Sequence, residues 1–238
     1  MGFAYNALTI NGVSTATLDF DCLVETNSPI TMGKKKDILH EDEMVNGVLL
    51  QSIEAYEPVE KPYVFYLNNV TKDQARKFKA LFDPTGWFTP YDDPNIRHYY
   101  YSFTMESEIL NEVDGYRVTV TFLCDPFEYE PERVVTLGTS ITNHTNAPMF
   151  PKLEVLGSVA IQQTLTIGAQ TMIFKNGITT RAWVENKLGE QNVTNNAGAN
   201  INSQVKGPFF VIPPKKTVAV SKTSGITSVK MTTRWGWR

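Results

Sequence analysis

The chain has 238 residues, of which 42% are hydrophobic and 20% are charged, and its formal net charge is -3. This composition describes a globular chain of one large or two small domains and excludes a disordered one. No run of about 18 apolar residues and no secretory signal pattern occurs, so we expect no membrane insertion and we expect folding in a cytoplasm.

Acidic and basic residues are divided unevenly along the chain. Residues 1–135 carry 22 acidic and 11 basic side chains, whereas residues 136–238 carry three acidic and 11 basic ones. The two segments therefore have net charges of -11 and +8. Such asymmetry predicts two modules that face different surroundings, and we place their boundary at residue 135.

The first module begins with a hairpin signal. Asn11 and Gly12 separate two runs, residues 7–10 and 13–18, in which apolar residues alternate with polar ones. Both turn residues tolerate the positive φ of a type I′ turn. We therefore predict a β-hairpin here.

One amphipathic helix is predicted over residues 71–82. Thr71 and Gln74 have the spacing of a capping box, in which each side chain satisfies a backbone donor of the first turn. Asp73 is placed to pair with Lys77 one turn later. An apolar stripe consists of Ala75, Phe78, Leu81 and Phe82. A single such helix in a β-rich module is expected to bury this stripe against a sheet.

The last long strand of the first module has a clear period of two. Asp114 and Gly115 predict a second hairpin, which joins a strand at residues 99–105 to one at residues 116–122. In the latter strand apolar and polar side chains alternate, which is typical of a half-buried strand. A Cys-Asp-Pro-Phe turn is expected to end it, formed after Phe122 by Cys124, Asp125, Pro126 and Phe127. The charged segment 128–133 that follows is the best candidate for a linker.

The second module shows short strands at regular spacing. Asn176 and Gly177 predict a third hairpin, between residues 171–174 and 178–183. Residues 189–206 are polar and rich in asparagine, which predicts a surface loop. The remaining strands are predicted at residues 152–156, 161–167, 209–212, 217–220 and 229–235. This pattern favours an antiparallel β-sandwich of about 100 residues.

The sequence gives little sign of catalytic or metal chemistry. His40, His98 and His144 are scattered, and no zinc, nucleotide-binding or nucleophile motif occurs. Cys22 and Cys124 lie in apolar surroundings and are read as buried hydrophobes. The carboxylate pairs Asp19/Asp21 and Asp92/Asp93 are read as solvated surface groups. We therefore predict no catalytic, cofactor-binding or metal-binding residue, and the dispersed basic residues predict no specific nucleic-acid recognition.

Aromatic residues of the second module allow two readings. The residues that could stack on sugar rings are Trp183, Phe209, Phe210, Trp235 and Trp237, but Trp183 and Phe209 fall in strand patterns that favour a core position. Trp235 and Trp237 lie with Arg234 at the end of the chain. Exposed aromatic and arginine residues together suit a contact with another protein.

Taken in order, these motifs resemble the distal tail protein (Dit) family of long-tailed, non-contractile bacteriophages and their prophages. The match covers nearly the whole chain, and the run of residues 118–127 is similar to the family's Phe-x-Cys-Asp-Pro-Tyr/Phe. The other matching segments are the Asn11-Gly12 hairpin, residues 63–67 before the helix, residues 86–88 and 92–94 after it, and residues 151–157, 206–210 and 229–235.

The resemblance implies a mainly β protein with a ring-forming N-terminal domain, residues 1–135, and a galectin-like β-sandwich, residues 136–238. It implies a homo-hexameric ring in the virion tail that connects the tail tube protein to the tip or lysin protein. The tape-measure protein and then DNA would pass its channel. From the charge of the first module we predict that its acidic side chains line this channel; the alternative reading is that they serve only solubility. The family is structural, without cofactor or enzymatic activity, and its galectin-like domain generally binds no sugar.

Two other functions remain open at this stage. A carbohydrate-binding β-sandwich protein that recognises a host surface is the first, and a hydrolase with an unrecognised site is the second.

Overall fold

A computed structural model of the chain describes residues 6–25, 30–41, 48–110 and 114–238. The chain folds as two compact units. Unit 1 comprises Met1–Tyr129 with Arg238, and unit 2 comprises Glu130–Trp237. The junction lies within the charged segment 128–133.

Unit 1 is built from antiparallel strands and, among its described residues, one α-helix. A 3-10 turn, Thr15–Thr17, precedes β3. The helix is α1, Lys72–Lys79. The strands are β1 (Thr9–Ile10), β2 (Val13–Ser14), β3 (Asp21–Val24), β4 (Lys35–Glu41), β5 (Val48–Tyr56), β6 (Val59–Asn68), β7 (Gly86–Thr89), β8 (Arg97–Leu110) and β9 (Gly115–Tyr129).

One sheet carries the core of unit 1. Its strand order is β2-β1-β7-β8-β9-β6-β3, and β4 and β5 form a separate two-stranded sheet. Helix α1 lies across the sheet, where Phe78 contacts Phe65 with ring centres 5.2 Å apart. Phe82 contacts Phe103 and Phe122 at 5.3 and 6.0 Å. The predicted burial of the apolar stripe against a sheet is confirmed.

The capping box of α1 is confirmed, but the predicted ion pair is wrong. Thr71 Oγ1 accepts a hydrogen bond from the Gln74 backbone N–H at 3.3 Å, and Gln74 Oε1 accepts one from the Thr71 N–H at 2.9 Å. Asp73 pairs with Arg76, and Lys77 pairs instead with Asp19 at 2.5 Å. A carboxylate outside the helix therefore competes successfully for Lys77.

Both hairpin predictions of unit 1 are confirmed. Ile10 pairs with Val13, and the turn residues Asn11 and Gly12 have φ values of 49° and 85°. The second hairpin joins β8 to β9, which pair antiparallel from Leu110 and Gly115 onward, so Gly115 begins the strand instead of lying in the turn. Gly115 is required by a close approach, since a Cβ there would lie 2.2 Å from the Leu67 carbonyl oxygen.

Unit 2 contains two five-stranded antiparallel sheets. The first has the order β10-β19-β12-β15-β16, and the second has the order β11-β18-β13-β14-β17. A 3-10 turn spans Asn202–Gln204. The strands of the two sheets are β10 (Val134–Thr136), β11 (Ser140–Thr142), β12 (Lys152–Gly157), β13 (Gln163–Ile167), β14 (Gln170–Phe174), β15 (Arg181–Glu185), β16 (Asn192–Asn195), β17 (Val205–Lys206), β18 (Thr217–Lys222) and β19 (Ile226–Thr232). A short strand near the chain end, β20 (Gly236–Trp237), belongs to neither sheet.

Side chains of both sheets of unit 2 form one hydrophobic core. The first sheet contributes Leu153, Val184 and Met231, and the second contributes Leu165 and Phe174, all almost fully buried. The prediction of a mainly β chain with one α-helix and antiparallel sheets is therefore confirmed.

The predicted hairpin at Asn176 and Gly177 is wrong. The preceding strand, β14, belongs to the second sheet, and the following strand, β15, belongs to the first, so the turn carries the chain between sheets. The hairpin of this region lies one strand earlier, where Ile167 pairs with Gln170 around Gly168, whose φ is 61°. Residues 209–212 were also predicted as a strand, but only Ile212 forms a bridge, to Met149.

The predicted surface loop at residues 189–206 contains ordered structure. It includes β16, the second 3-10 turn and β17. Asparagine side chains order it: Asn202 Oδ1 accepts from the Val193 N–H at 2.7 Å, and Asn200 Nδ2 donates to Asn192 Oδ1 at 2.8 Å. The asparagine-rich composition therefore reflects local hydrogen bonding rather than a simple loop.

Candidate assembly site

The Cys-Asp-Pro-Phe segment lies inside β9, so the prediction that it ends the strand is wrong. Pairing with β6 reaches Cys124, which faces Val59. Along β8 the register shifts here, from Tyr100 facing Cys124 to His98 facing Glu128. The segment is thus a β-bulge, a place where a proline without an N–H is tolerated within a sheet.

Asp125 holds this bulge together. Its Oδ2 accepts a hydrogen bond from the Tyr101 hydroxyl at 2.7 Å. Its Oδ1 accepts from the Phe127 N–H and the Tyr129 hydroxyl, both at 3.0 Å. Partial burial and the bond to Asp125 raise the pKa of Tyr101. The Asp125 carboxylate therefore links three groups around the bulge, and its role there is structural.

The other predicted motif residues pack against neighbours. Phe122 and Cys124 are fully buried in the core of unit 1. Burial raises the pKa of the Cys124 thiol to about 12, so it is not a nucleophile at neutral pH. Phe127 makes an edge contact with Tyr56 at 5.6 Å between ring centres.

An acidic face covers the side of the unit 1 sheet opposite α1. We define it by the exposed side chains of Asp21, Glu25, Glu60, Glu106 and Glu108. Asp21 lies on β3, Glu60 on β6, and Glu106 and Glu108 on β8, whereas Glu25 directly follows β3. Arg117 lies among them, 3.9 Å from Glu25 and 3.8 Å from Glu108. The face retains net negative charge, in agreement with the net charge of -9 of unit 1.

The same part of the sheet ends in two open edges. Strand β7 pairs with β8 only at His98–Tyr100, so residues 102–110 of β8 pair with β9 alone among the described strands. At the other end β3 pairs with β6 alone within the same described part of the chain. Neither edge has a second neighbouring strand in the described part of the chain, and the Ile109 side chain on β8 is 67% exposed.

A buried group of ionisable side chains lies where β6, β8 and β9 meet. Lys61 is 1% exposed, and its Nζ lies 3.1 Å from Glu128 Oε1. His98 is 2% exposed, and its Nδ1 lies 4.0 Å from the same carboxylate oxygen. Burial, assisted by the charge of Lys61, lowers the pKa of His98 to about 3, so this histidine is neutral at pH 7. No sequence motif indicates this group, because its members are far apart in the chain.

The C-terminal residues predicted to be exposed are largely enclosed within unit 2. Trp235 is 8% exposed and belongs to the core, so its expected exposure is wrong. Arg234 forms a two-bond pair with Glu185 at 2.5 and 2.9 Å. Trp237 is half-buried and donates to Glu130 Oε1 at 3.0 Å. A partner contact through Arg234, Trp235 and Trp237 stays a prediction.

The aromatic residues considered for sugar stacking are divided between core and surface. Phe210 is fully buried, and Phe209 packs partly against the core. Trp183 is not a core residue, contrary to expectation, because Ala182 and Val184 occupy the inner positions of β15. Its ring lies on the outer face, 5.5 Å from Lys152 Nζ.

The described residues contain neither a metal-binding cluster nor a membrane-spanning helix. No group of three or more His, Cys, Asp or Glu side chains is placed to hold a metal ion in that part of the chain. No described helix is long and apolar enough to cross a membrane.

Comparison with known proteins places this architecture in a structural class. No protein-family model matches the chain, and no curated protein matches it. The fold is nevertheless similar to that of a solved Dit protein, a phage tail hub.

The solved structure that shows this is the Dit protein (gp 19.1) of phage SPP1, a paradigm of the hub adsorption apparatus of phages that infect Gram-positive bacteria. The two folds superpose with a TM-score of 0.75 over 98% of this chain and 99% of that chain. Only 15% of the aligned residues are identical, so the likeness is one of fold.

Proposed function

We propose that this chain is a structural protein of a bacteriophage or prophage tail, located at the distal end of the virion tail. In this proposal it forms a homo-hexameric hub ring that connects the tail tube to the tail tip or baseplate. The Dit-like fold supports this role. The observation that carries it is the pair of open sheet edges in unit 1, on β8 and β3.

These edges are suited to a closed ring. The order β8-β9-β6-β3 contains three successive antiparallel pairings, so β8 and β3 run in opposite directions. A rotated second copy therefore presents its β3 antiparallel to the β8 of the first. Closure around the ring satisfies edges that would otherwise promote aggregation.

The acidic face would then line the central channel. A basic wall binds DNA phosphates strongly, because each contact releases counterions. A wall carrying Glu60, Glu106 and Glu108 would instead repel the phosphates and let DNA pass after the tape-measure protein. The tail tube protein and the tip or lysin protein would contact the ring, which is assembled in the cytoplasm of the host bacterium.

An enzymatic role is not part of the proposal. His98 is neutral and enclosed, and the thiols of Cys22 and Cys124 have pKa values raised to about 12 by burial. These groups are enclosed, and their pKa values lie far from 7. Acid–base or nucleophilic chemistry near pH 7 needs accessible groups with pKa values closer to that pH.

Proline substitution along the open edge tests the proposal. Along a strand, successive N–H groups point to opposite edges. Of the adjacent substitutions Glu106→Pro and Ser107→Pro, one therefore removes a donor to β9 and the other removes a donor on the open edge. We expect one variant to keep native circular dichroism while losing the ring mass in light scattering.

The pair of variants provides its own control. The substitution that interrupts the β8–β9 pairing should reduce the folded fraction. The variant that loses folding therefore identifies the residue whose N–H points to β9. A wild-type protein that is monomeric at micromolar concentration, or two folded variants that both retain the ring, would contradict the proposal.

A further inference from the structure

Unit 2 contains a polar groove beside the connection between β14 and β15. Its volume is about 350 Å³, within the range of about 300–1,000 Å³ typical of small-molecule sites. Amide and hydroxyl side chains dominate its lining: Asn176, Thr179, Thr180, Asn195, Asn196 and Gln204. Each of these groups can donate and accept hydrogen bonds, as sugar hydroxyls also do.

The walls of this groove are held in place by local hydrogen bonds. Asn195 Oδ1 accepts from the N–H groups of Ala197 and Ala199, both at 3.0 Å. On the opposite wall, Asn176 Nδ2 donates to Gln204 Oε1 at 3.3 Å. A site whose walls are ordered before binding loses less entropy when a ligand arrives.

Much of the groove lining is exposed to solvent. Thr179, Thr180 and Asn196 are exposed, and they add two hydroxyls and one amide to the groove surface. A ligand that displaces the water bound to these side chains and forms hydrogen bonds in its place would compensate them for the lost water.

An aromatic platform adjoins the groove through Arg181. This arginine lines the groove, and its guanidinium carbon lies 5.6 Å from the centre of the Trp183 ring. Trp183 is half-buried on the outer face of the sheet. The negative face of an indole ring attracts the weakly positive C–H edges of a sugar.

The charge of the groove limits the ligand class. Arg181 is its one cationic lining residue, and its Nε lies 2.6 Å from Glu154 Oε1. The remaining lining side chains are neutral. Although unit 2 has a net charge of +6, the groove lining offers a polyanion a single cation, and that cation is already paired with a carboxylate.

We propose that unit 2 binds an uncharged oligosaccharide in this groove, with Trp183 stacking on a sugar ring beyond Arg181. The groove would give the protein a second capacity, contact with a glycan of the cell surface. This inference rests on unit 2 alone and is independent of ring formation by unit 1.

Calorimetric titration of the full-length protein tests the inference. The probes are maltohexaose, cellohexaose and chitohexaose, with polyglycerol phosphate as an anionic comparison. We expect one hexasaccharide to bind, and we expect Thr180→Ala/Asn196→Ala to weaken that binding about tenfold or more, since each lost hydrogen bond contributes. Trp183→Ala should also weaken it.

A matched control lies outside the groove. Thr139 is an exposed threonine of unit 2, and Thr139→Ala should bind as the wild type does. The inference is overturned if no hexasaccharide binds at millimolar concentration, or if the groove variant binds like the control. It is also overturned if only polyglycerol phosphate binds, with an affinity that falls as salt is added.

Discussion

The two units differ in the polar groups that they bury. Unit 1 encloses the ionisable side chains of Lys61 and His98, whereas the polar residues buried in unit 2 are neutral. Those of unit 2 are Asn143, Thr145, Gln163, Asn186 and Thr233. The difference predicts that the stability of unit 1 depends on pH and charge, and that the stability of unit 2 depends on amide hydrogen bonds.

The buried amides of unit 2 act as connectors. Asn186 Nδ2 donates to the Pro151 carbonyl oxygen at 2.5 Å, and its Oδ1 accepts from the Phe210 N–H at 2.7 Å. Asn143 Nδ2 similarly donates to the carbonyl oxygens of Ala147 and Ile212 at 2.9 and 3.1 Å. Backbone groups that have no partner in a neighbouring strand are thereby hydrogen-bonded, as buried polar groups generally are.

The largest expected effect is at Asn186. Asn186→Leu keeps the volume but leaves the Phe210 N–H and the Pro151 carbonyl group buried without this partner, which should cost about 4 kcal/mol of unfolding free energy. Hydrogen exchange measured by mass spectrometry should show faster exchange in unit 2 peptides only. Asn196→Leu, at an exposed amide, is the control and should change stability by less than about 0.5 kcal/mol. Equal effects of the two variants would contradict the connector role.

The ion pair between the enclosed Lys61 and the partly exposed Glu128 gives the next effect. Glu128→Leu removes the carboxylate beside the enclosed Lys61 ammonium and should cost about 2 kcal/mol, because a buried charge loses its opposite partner. Lys61→Met removes the buried charge itself and should cost less. Urea denaturation with exchange readout in unit 1 measures both. A greater loss in Lys61→Met would show that the ammonium group is a net stabiliser and would reverse this part of the comparison.

His98 makes unit 1 sensitive to acid. Its folded-state pKa of about 3 lies below the ordinary value of 6.5, so between these values the unfolded chain binds the proton and the folded chain does not. Stability is therefore full above pH 6.5 and falls as the pH is lowered, by about 1.4 kcal/mol per pH unit from this residue. His98→Phe should flatten the pH dependence of unit 1 exchange between pH 6 and 4. An unchanged slope would mean that other groups cause it.

The smallest expected effect is at the start of α1. Thr71→Ala removes the side-chain acceptor of the capping box and should cost about 1 kcal/mol. Thr71→Ser, which keeps the hydroxyl, should restore most of that stability. Thermal unfolding followed by hydrogen exchange in unit 1 compares the two, and a Thr71→Ser variant as unstable as Thr71→Ala would exclude the cap as the cause.

Local chemistry explains which predictions from sequence succeeded. The Thr71–Gln74 box and the Asn11–Gly12 turn depend on residues within a few positions of one another, so the sequence specifies them directly. Asn176 and Gly177 have the same turn chemistry, but a turn does not determine whether the next strand joins the same sheet. Asp125 was misplaced for a related reason, because the bulge it orders depends on Tyr101 of a neighbouring strand.

The features relevant to assembly depend on tertiary structure. An alternating pattern predicts that Glu106 and Glu108 share a face, but it does not predict that Glu60 lies on that same face. The open edges of β8 and β3 become apparent only when the strand order is known. The burial of Trp235 likewise depends on the packing of both sheets of unit 2, which its position near the chain end did not indicate.

Electron microscopy of the purified wild-type protein tests the central claim most directly. The account predicts six-fold rings, each with six times the 26.8 kDa mass of the chain, in which β8 of one copy pairs with β3 of the next around an acidic channel. Monomers at micromolar concentration, or rings whose wall is lined mainly by lysine and arginine, would contradict it.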